Sequence, residues 1–531
     1  MSAMARGDID PAQSSALSEL AEFSLLWDAA SRPDRPQPLD ATVASDLRLS
    51  QLIDAITPSA SVRRDIESIL AAPASEAVRH SRTEITADFA RNEQLRAVVT
   101  TLRDRVAEIQ TAGEREQDRD ILKLVWRLGD LSLFIESLGT LRETLDACAD
   151  SIQSVRLGEL RELLQRLDED AQVGRLRREL PALREGLRDR RSVTVGINLD
   201  DRLRPREAVL LSVNEQEYTS GGIVDAVGES LFGTDHSYRP RTTIRKNTAP
   251  GGWSGPAPLS PLFEELDHLL RDVSRPLARA LKRYNAIQLS WLQRLVSELA
   301  VFDAIAELEL RLQEAGLPMT TAELSRDGSF SAQDLYDPLL ALNRIDSEEE
   351  AIVRNDPTLF RDTPLAIVTG PNNGGKTTFV RAVGIAQLWG QAGLPVAASS
   401  VTVLEQARVV THFAGGEGAE PIGGRFAQEA AQVADLLTQC DSSTLVLLNE
   451  TFSSTGVSDA LELSQELLEV IAARGARALF ATHLHDVPQR VDGLSLTFRP
   501  THLFRIIEGT PDGRSLAREV AKQAGLDFDA I

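Results

Sequence analysis

A glycine-rich run that ends in a lysine and two threonines can bind phosphate. It has the spacing G-x-x-x-x-G-K-T and follows a short apolar run. In such a loop, backbone N–H groups surround phosphate oxygens, the lysine reaches the β- and γ-phosphates, and the first hydroxyl binds magnesium. We therefore expect a nucleoside triphosphate and Mg²⁺ to bind at Gly370, Pro371, Asn372, Asn373, Gly374, Gly375, Lys376, Thr377 and Thr378.

Two further apolar runs end in polar side chains that can act on a bound phosphate. One ends in Asn449 and Glu450, and the other ends in His483. Glu450 can contact magnesium and accept the proton of an attacking water, whereas the uncharged Asn449 can accept a hydrogen bond from a magnesium-bound water. His483 can sense the γ-phosphate. A metal site at His483 and His485 is the alternative, although no third ligand stands at a suitable spacing.

Buried strands must place these side chains next to one another. The three apolar runs cover residues 365–369, 444–448 and 478–482. Continuous apolar runs of this length indicate strands of a parallel sheet, and ligands bind at the carboxyl ends of such strands. The sequence therefore predicts an α/β phosphate-loop ATPase domain over residues 326–531.

The remainder of the chain is predicted to be mostly helical. Apolar residues recur at three- and four-residue spacing over 1–190, as expected for a helical core or lever region. Residues 191–260 contain two β-type runs and a Gly- and Pro-rich loop, which predict a small clamp-like insert. Residues 261–325 return to a helical pattern that leads into the ATPase. Heptads are not sustained, so a long coiled coil is not expected.

The phosphate loop and its surroundings resemble the MutS family of DNA mismatch-repair ATPases. The loop itself (369–378), the Gly-Gln-Ala-Gly-Leu-Pro-Val segment (390–396) and the Ala-Thr-His segment (481–483) are similar to those of the family. Further similar segments are 298–308, 337–340, 353–356, 379–381 and 515–526. The resemblance implies an ATPase of the ABC-type branch that dimerises through its ATPase domains, and a catalytic role for Asn372.

The same resemblance assigns residues at the edges of the nucleotide site. It implies that ATP lies between two protomers, with Gly424 and Arg425 reaching the partner's γ-phosphate from a helix N-terminus. A plain helix start is the alternative for these two residues. Ile352 stands where family members stack an aromatic residue on adenine, and Asn355 belongs to the same lead-in.

Several segments depart from the family pattern. Residues 451–455 replace its Gly-Arg-Gly-Thr segment, and residues 423–426 replace the Ser-Thr loop that family members send to the partner's nucleotide. We find no Phe-x-Glu wedge near the N-terminus and no nuclease module before Ile531. We therefore expect a shortened relative that acts on DNA, in repair or recombination, without recognising mispaired bases.

Two other classes of function stay open. Asn449 and the altered 451–455 segment favour a nucleotide-gated scaffold that does not hydrolyse ATP, whereas Glu450 and His483 argue against it. A different ABC-type ATPase, such as an SMC-like head, is disfavoured because the Leu-Ser-Gly-Gly signature is missing and the helical arms are short.

Charge limits how the chain can contact nucleic acid. The net charge of −22, from 57 basic and 79 acidic residues, argues against non-specific binding by the whole surface. Arg239, Arg241, Arg245 and Lys246 lie in a Gly- and Pro-rich segment with few acidic neighbours, which predicts a contact with DNA phosphates. The arginines between residues 175 and 191 alternate with acidic residues, which indicates a solvated helix face.

Composition predicts a cytoplasmic protein. The two cysteines, Cys148 and Cys440, have no redox or metal-binding spacing, so a reducing compartment is expected. The N-terminus lacks the apolar core of a signal peptide. No apolar stretch of about 18 residues is present, so no membrane association is expected.

Overall fold

The computed structural model describes residues 15–33, 37–71, 73–113, 120–188, 192–199, 205–214, 278–285, 287–347, 352–370, 375–414, 424–498 and 504–509. Packing contacts divide the chain into two compact units. The first comprises Met1–Ala21, Asp104–Arg142 and Glu162–Gln293, and the second comprises Glu22–Arg103, Glu143–Arg161 and Arg294–Ile531. These units do not coincide with the four segments 1–190, 191–260, 261–325 and 326–531, whose boundaries stay a prediction.

Helices make up most of the described chain before the ATPase segment, as the apolar spacing predicts. Their bounds are α1 Ser15–Glu22, α2 Ala41–Asp46, α3 Leu49–Ile56, α4 Ala60–Leu70, α5 Glu76–Arg91, α6 Glu93–Gly113, α7 Asp120–Ala147, α8 Val155–Glu169, α9 Ala171–Arg188 and α10 Leu289–Glu314. Helix α5 shows the local rules clearly. The Ser75 hydroxyl accepts a hydrogen bond from the Val78 N–H, Glu76 lies in the first turn and Arg91 in the last.

The first unit contains a two-stranded antiparallel sheet, formed by β1 (Ser192–Leu199) and β2 (Pro205–Asn214). Both strands fall where the sequence predicts β-type runs. A clamp role for the segment around them stays a prediction. The four basic residues proposed to contact DNA, Arg239, Arg241, Arg245 and Lys246, lie outside the described residues.

Arginines of α9 in the same unit form ion pairs. Arg177 pairs with Asp168 at 2.5 Å, and Arg184 pairs with Glu136 at 3.0 Å. Both pairs are substantially exposed, so each contributes little to stability. Both arginines are exposed, as the interpretation of a solvated helix face requires, but their acidic partners lie on α8 and α7 and not at helical spacing within α9.

A six-stranded sheet forms the centre of the ATPase segment. Its strands are β6 Leu365–Thr369, β8 Arg408–Phe413, β9 Thr444–Asn449, β10 Arg477–Thr482, β11 Leu494–Phe498 and β12 Ile506–Glu508. They lie in the order β12-β11-β6-β10-β9-β8, and all neighbouring pairs are parallel except β11 with β12. The α/β class is thereby confirmed, whereas the ABC-type branch stays a prediction.

The register of this sheet brings the three predicted strand ends together. Thr482 pairs with Thr369, and Ala481 pairs with Asn449. Strands β6, β9 and β10 are buried along almost their whole length, which explains their continuous apolar runs. Their carboxyl ends therefore lie at one edge of the sheet. Gly370, Glu450 and His483 are the residues that directly follow the three strands at this edge.

A smaller four-stranded sheet and five helices surround the main sheet. The small sheet has the order β3-β7-β4-β5, with β3 Glu323–Leu324, β4 Phe330–Gln333, β5 Thr358–Leu359 and β7 Ser400–Val403. The helices are α11 Pro338–Ser347, α12 Lys376–Ala392, α13 Arg425–Thr438, α14 Val457–Ala473 and α15 Val487–Arg490. No helix of the described residues is long and apolar enough to cross a membrane.

Helix α12, which follows the phosphate loop, is held at its far end by α5. The buried guanidinium of Arg82 donates hydrogen bonds to the carbonyl oxygens of Leu26 at 2.9 Å and Ala392 at 2.8 Å. The Thr83 hydroxyl donates to the carbonyl of Gly393 at 3.1 Å. The bonds to Ala392 and Gly393 satisfy carbonyl groups at the helix end that have no partner within the helix.

Candidate nucleotide-binding site

Two glycines with positive φ bound the phosphate loop. Gly370 follows β6 with φ of 151°, and Gly375 precedes α12 with φ of 92°. A side chain at Gly375 would be strained by this conformation and would place its Cβ 3.2 Å from Cδ1 of Phe504. The residues between them, Pro371, Asn372, Asn373 and Gly374, lie outside the described part of the chain.

Lys376 lies buried at the start of α12 and connects the loop to the strand end beside it. Its ammonium donates a hydrogen bond to the Gly370 carbonyl at 2.9 Å and lies 3.4 Å from Oε1 of Glu450. Burial lowers the pKa of Lys376, and the Glu450 carboxylate acts in the opposite direction. The ammonium is thus placed between the loop and the end of β9, where it can contact a phosphate.

Thr377 and Asn449 meet at the position expected for magnesium. The Thr377 hydroxyl donates a hydrogen bond to Oδ1 of Asn449 at 3.0 Å. Hydroxyl and amide oxygens are hard ligands of the type that Mg²⁺ accepts, directly or through water. The pair therefore fits magnesium, although it supplies no negative charge. Thr378, the next residue, is half-buried.

Glu450 and His483 are in contact across the ends of β9 and β10. Oε2 of Glu450 lies 2.5 Å from Nδ1 of His483 and accepts a hydrogen bond from its backbone N–H at 3.3 Å. The Glu450 N–H donates to the carbonyl of Ala481 at 2.8 Å. Glu450 adopts φ of 55°, an uncommon conformation for a residue with a side chain. The structure therefore brings the predicted base, Glu450, next to the predicted γ-phosphate sensor, His483, with His483 exposed and Glu450 partly buried; both roles stay predictions.

Asn355 connects two chain segments beside the loop. Its amide donates to the carbonyl of Phe504 at 3.2 Å and accepts from the N–H of Ile506 at 2.7 Å. Both ends of the amide thus hold the segment before β12, which carries the Phe504 ring to Gly375. Ile352, which lies in the same segment of the chain as Asn355, is half-buried. Contact of either residue with a nucleotide base stays a prediction.

Gly424 and Arg425 are exposed at the start of α13. Gly424 has φ of 92°, and a Cβ placed on it would meet no atom of the described residues within 4 Å. The conformation explains the glycine, because residues with side chains rarely adopt it. The predicted role of these two residues toward a partner's nucleotide stays a prediction.

Three buried polar residues near the site are not predicted as site residues by the sequence. Glu429 is buried, although it carries a charge. It lies on the same stripe of α13 as Val433 and Leu436, three and four residues apart, so a carboxylate on an apolar helix face was the available signal. His412 and Thr451 are also buried, with Nδ1 and Oγ1 2.9 Å apart, and burial lowers the pKa of His412.

Comparisons with known proteins agree with this geometry. The family model described as MutS domain V matches residues 366–503, which contain the phosphate loop, Glu450 and His483. A second model, the MutS2 N-terminal domain, matches residues 75–315. The two matches together cover helices α5 to α10 and most of the main sheet.

Individual relatives are similar over parts of their length. Endonuclease MutS2 of Thermus thermophilus is 25% identical over 457 residues, which cover 79% of this chain and 55% of that protein. Endonuclease MutS2 of Streptococcus uberis is 24% identical over 60% of this chain and 41% of the relative. DNA mismatch repair protein MutS of Shouchella clausii is 26% identical over 50% and 31%, respectively. The chain thus spans between about a third and about half of the length of these relatives.

Proposed function

Because the chain belongs to the MutS family, we propose that it binds ATP with Mg²⁺, hydrolyses ATP between two copies of itself, and acts on DNA without recognising mispaired bases. The observation that carries this proposal is the placement of Glu450 between Lys376 and His483. Its two carboxylate oxygens lie 3.4 Å from the lysine ammonium and 2.5 Å from the histidine ring.

Binding depends on the loop and on the start of α12. The N-terminus of α12 presents backbone N–H groups and a partial positive charge toward bound phosphates. Lys376 exchanges its contact with Glu450 for a phosphate oxygen and remains bonded to the Gly370 carbonyl. Thr377, Asn449 through a water, and Glu450 would hold magnesium, which would neutralise charge on the phosphates.

Hydrolysis depends on the carboxylate of Glu450. Once Lys376 contacts phosphate, Oε1 of Glu450 is available to accept the proton of an attacking water. Oε2 remains held by the ring and the backbone N–H of His483. His483 therefore orients the base, and its ring is exposed, as a sensor of the γ-phosphate needs to be.

The site is completed by a second copy of the chain. Gly424 and Arg425 are exposed at a helix N-terminus, which suits an anionic ligand supplied by another molecule. An arginine that reaches across an interface stabilises charge on the transferring phosphate group. In this proposal bound ATP favours the closed dimer, and hydrolysis of ATP allows the dimer to open.

Steady-state phosphate release tests this function against the open alternative. The parent protein is compared with Lys376→Ala and with Arg490→Ala, which removes an exposed cation from the same segment. We expect phosphate release by the parent and by Arg490→Ala, and none by Lys376→Ala. Nucleotide binding without phosphate release from the parent would support a non-hydrolysing scaffold instead.

The proposed action on DNA is tested by a separate binding measurement. Binding to duplex, mismatched and branched DNA is measured with and without ATP. We expect affinity that depends on nucleotide and shows no preference for a mispair. A several-fold preference for mismatched duplex would contradict the second expectation, and no binding to any of the three would contradict the first.

A further inference from the structure

The chain after Glu450 forms a tight turn with an unusual backbone. The N–H of Ser453 donates to the carbonyl of Glu450 at 3.1 Å, which closes a four-residue turn. Phe452, the third residue of the turn, has φ of 67°, and Glu450 has φ of 55°. Glycine or asparagine normally occupies such positions, because a side chain is strained there. Surrounding contacts must therefore hold this turn in place.

One anchor of the turn belongs to the sheet. Thr451 is buried, and its Oγ1 lies 2.9 Å from Nδ1 of His412, a residue of β8. Strand β8 is paired with β9 along its whole length, so His412 is fixed relative to the strand that Glu450 follows. It fixes the beginning of the turn relative to the sheet.

The other anchor belongs to α13. Oε1 of Glu429 accepts a hydrogen bond from the Phe452 N–H at 2.6 Å, and Oε2 accepts one from the Ser454 hydroxyl. Both bonds involve a charged acceptor, which makes them stronger than bonds between neutral groups. The Phe452 ring also faces the Phe426 ring, with centroids 6.5 Å apart. Phe426 and Glu429 lie in the first turns of α13.

These contacts connect the two halves of a composite site. Helix α13 begins at Arg425, and one turn later Glu429 holds the turn that follows Glu450. We propose that Glu429 is a positioning residue that makes the reactive orientation of Glu450 depend on the position of the start of α13. The inference rests on the proposed function. A second copy that contacts the start of α13 would thereby regulate hydrolysis through Glu429 and the turn after Glu450.

Substitutions at Glu429 test this inference. Glu429→Ala removes both acceptors, whereas Glu429→Gln keeps one carbonyl acceptor and therefore rescues part of the effect. A displaced catalytic group can cost ~10²-fold in rate, so we expect a kcat loss of that order in Glu429→Ala and a smaller loss in Glu429→Gln. ATP affinity should stay at the parental value, because the phosphate loop is untouched. Asp435→Asn, an exposed carboxylate on the same helix, is the control and should retain parental kcat.

The dependence of turnover on protein concentration separates positioning from simple structural support. In the parent, turnover per chain should rise as the dimer forms. In Glu429→Ala, the dimer should still form with ATP, as measured by sedimentation velocity, but turnover should no longer rise with it. Unfolding temperatures measured for every variant show whether the fold is kept. Parental turnover in Glu429→Ala, or an equal loss in Asp435→Asn, would overturn the inference.

Ser454→Ala keeps the test decisive if Glu429→Ala does not fold. Ser454 is exposed, and its loss removes only the second hydrogen bond to Glu429. We expect a partial loss of kcat that is not additive with Glu429→Gln, since both changes break one network. Full additivity or no loss would overturn the inference. Phosphate release by the parent no faster than by Lys376→Ala would instead overturn the proposed function, and this inference with it.

Discussion

Nδ1 of His483 lies 2.5 Å from Oε2 of Glu450, and the backbone N–H of His483 points to the same oxygen. One carboxylate oxygen is thereby held by the end of β10, although the residue itself follows β9. The pairing of these two strands in parallel register makes this contact possible. The orientation of Glu450 is consequently set from outside its own strand.

Replacement of Glu450 by Gln should separate binding from turnover. The amide keeps the shape of the side chain but cannot accept a proton, so we expect a fall in kcat of ~10²-fold or more. ATP binding, measured with a fluorescent nucleotide, should persist. Glu466→Gln, an exposed change on α14, is the control. Hydrolysis by Glu450→Gln at the parental rate would exclude Glu450 as the base.

Replacement of Asn449 by Asp should alter the magnesium requirement. Oδ1 of Asn449 accepts a hydrogen bond from the Thr377 hydroxyl at 3.0 Å, so a carboxylate there adds negative charge beside the metal position. We expect half-maximal ATPase activity at a lower magnesium concentration. Asn343→Asp, an exposed change on α11, should leave the requirement as it is. An unchanged or raised requirement in Asn449→Asp would contradict the assignment.

Removal of the four basic residues Arg239, Arg241, Arg245 and Lys246 should weaken DNA binding. Contacts with phosphates carry no sequence information, so affinity for every duplex should fall about equally. The slope of log affinity against log salt should fall by about 1 for each lost phosphate contact, while ATPase activity without DNA is kept.

The ion-paired arginines of α9 supply the control for that experiment. Arg177→Ala combined with Arg184→Ala removes positive charge that is already paired with Asp168 and Glu136. We expect no change in DNA affinity from this pair of changes. Undiminished binding by the quadruple variant, together with a loss in the α9 variant, would move the DNA contact to α9.

Replacement of Asp303 by Asn should stabilise the protein at alkaline pH. Burial, together with the charge of Glu307, raises the pKa of Asp303 to about 7, although Arg103 and Arg96 act in the opposite direction. One of its oxygens, Oδ1, is buried and has no hydrogen-bond partner among the described residues. Because the folded-state pKa lies above the ordinary value of 3.8, stability falls as pH rises from about 4 to about 7.

Asparagine cannot ionise, so Asp303→Asn should flatten this decline. At pH 8 we expect a gain on the order of 3 kcal/mol and a higher unfolding temperature than in the parent. The measurement is thermal unfolding between pH 4 and pH 8, with Asp435→Asn as an exposed control. A parental pH dependence in Asp303→Asn would show that this carboxyl does not cause it.

Local patterns predicted the strands and the phosphate loop because the information lies within a few consecutive residues. Strands β6, β9 and β10 appear in the sequence as continuous apolar runs, since neighbours cover them on both faces. Each run is followed by Gly370, Glu450 or His483. Parallel pairing then brings these residues to one edge, a consequence of general sheet geometry.

Contacts between distant residues could not be predicted in this way. The lead-in segment assigns Asn355 to the nucleotide, which stays a prediction, but it gives no sign that the amide holds Phe504 and Ile506, about 150 residues away. Glu429 binds Phe452 and Ser454 across two elements, and no short pattern specifies that pairing. Side-chain partners of this kind are set by tertiary packing, which a single sequence does not display.

Gly393 ends helix α12 at a point where α5 leaves no space. A Cβ there would lie 2.6 Å from Cα and from the carbonyl oxygen of Arg79, so two backbones touch directly. This contact and the hydrogen bond from Arg82 to Ala392 join the end of α12 directly to α5. Helix α5 opens the segment matched by the MutS2 N-terminal model. Any displacement of the end of α12 would therefore move α5 with it, because no loop lies between the two contacts to absorb it.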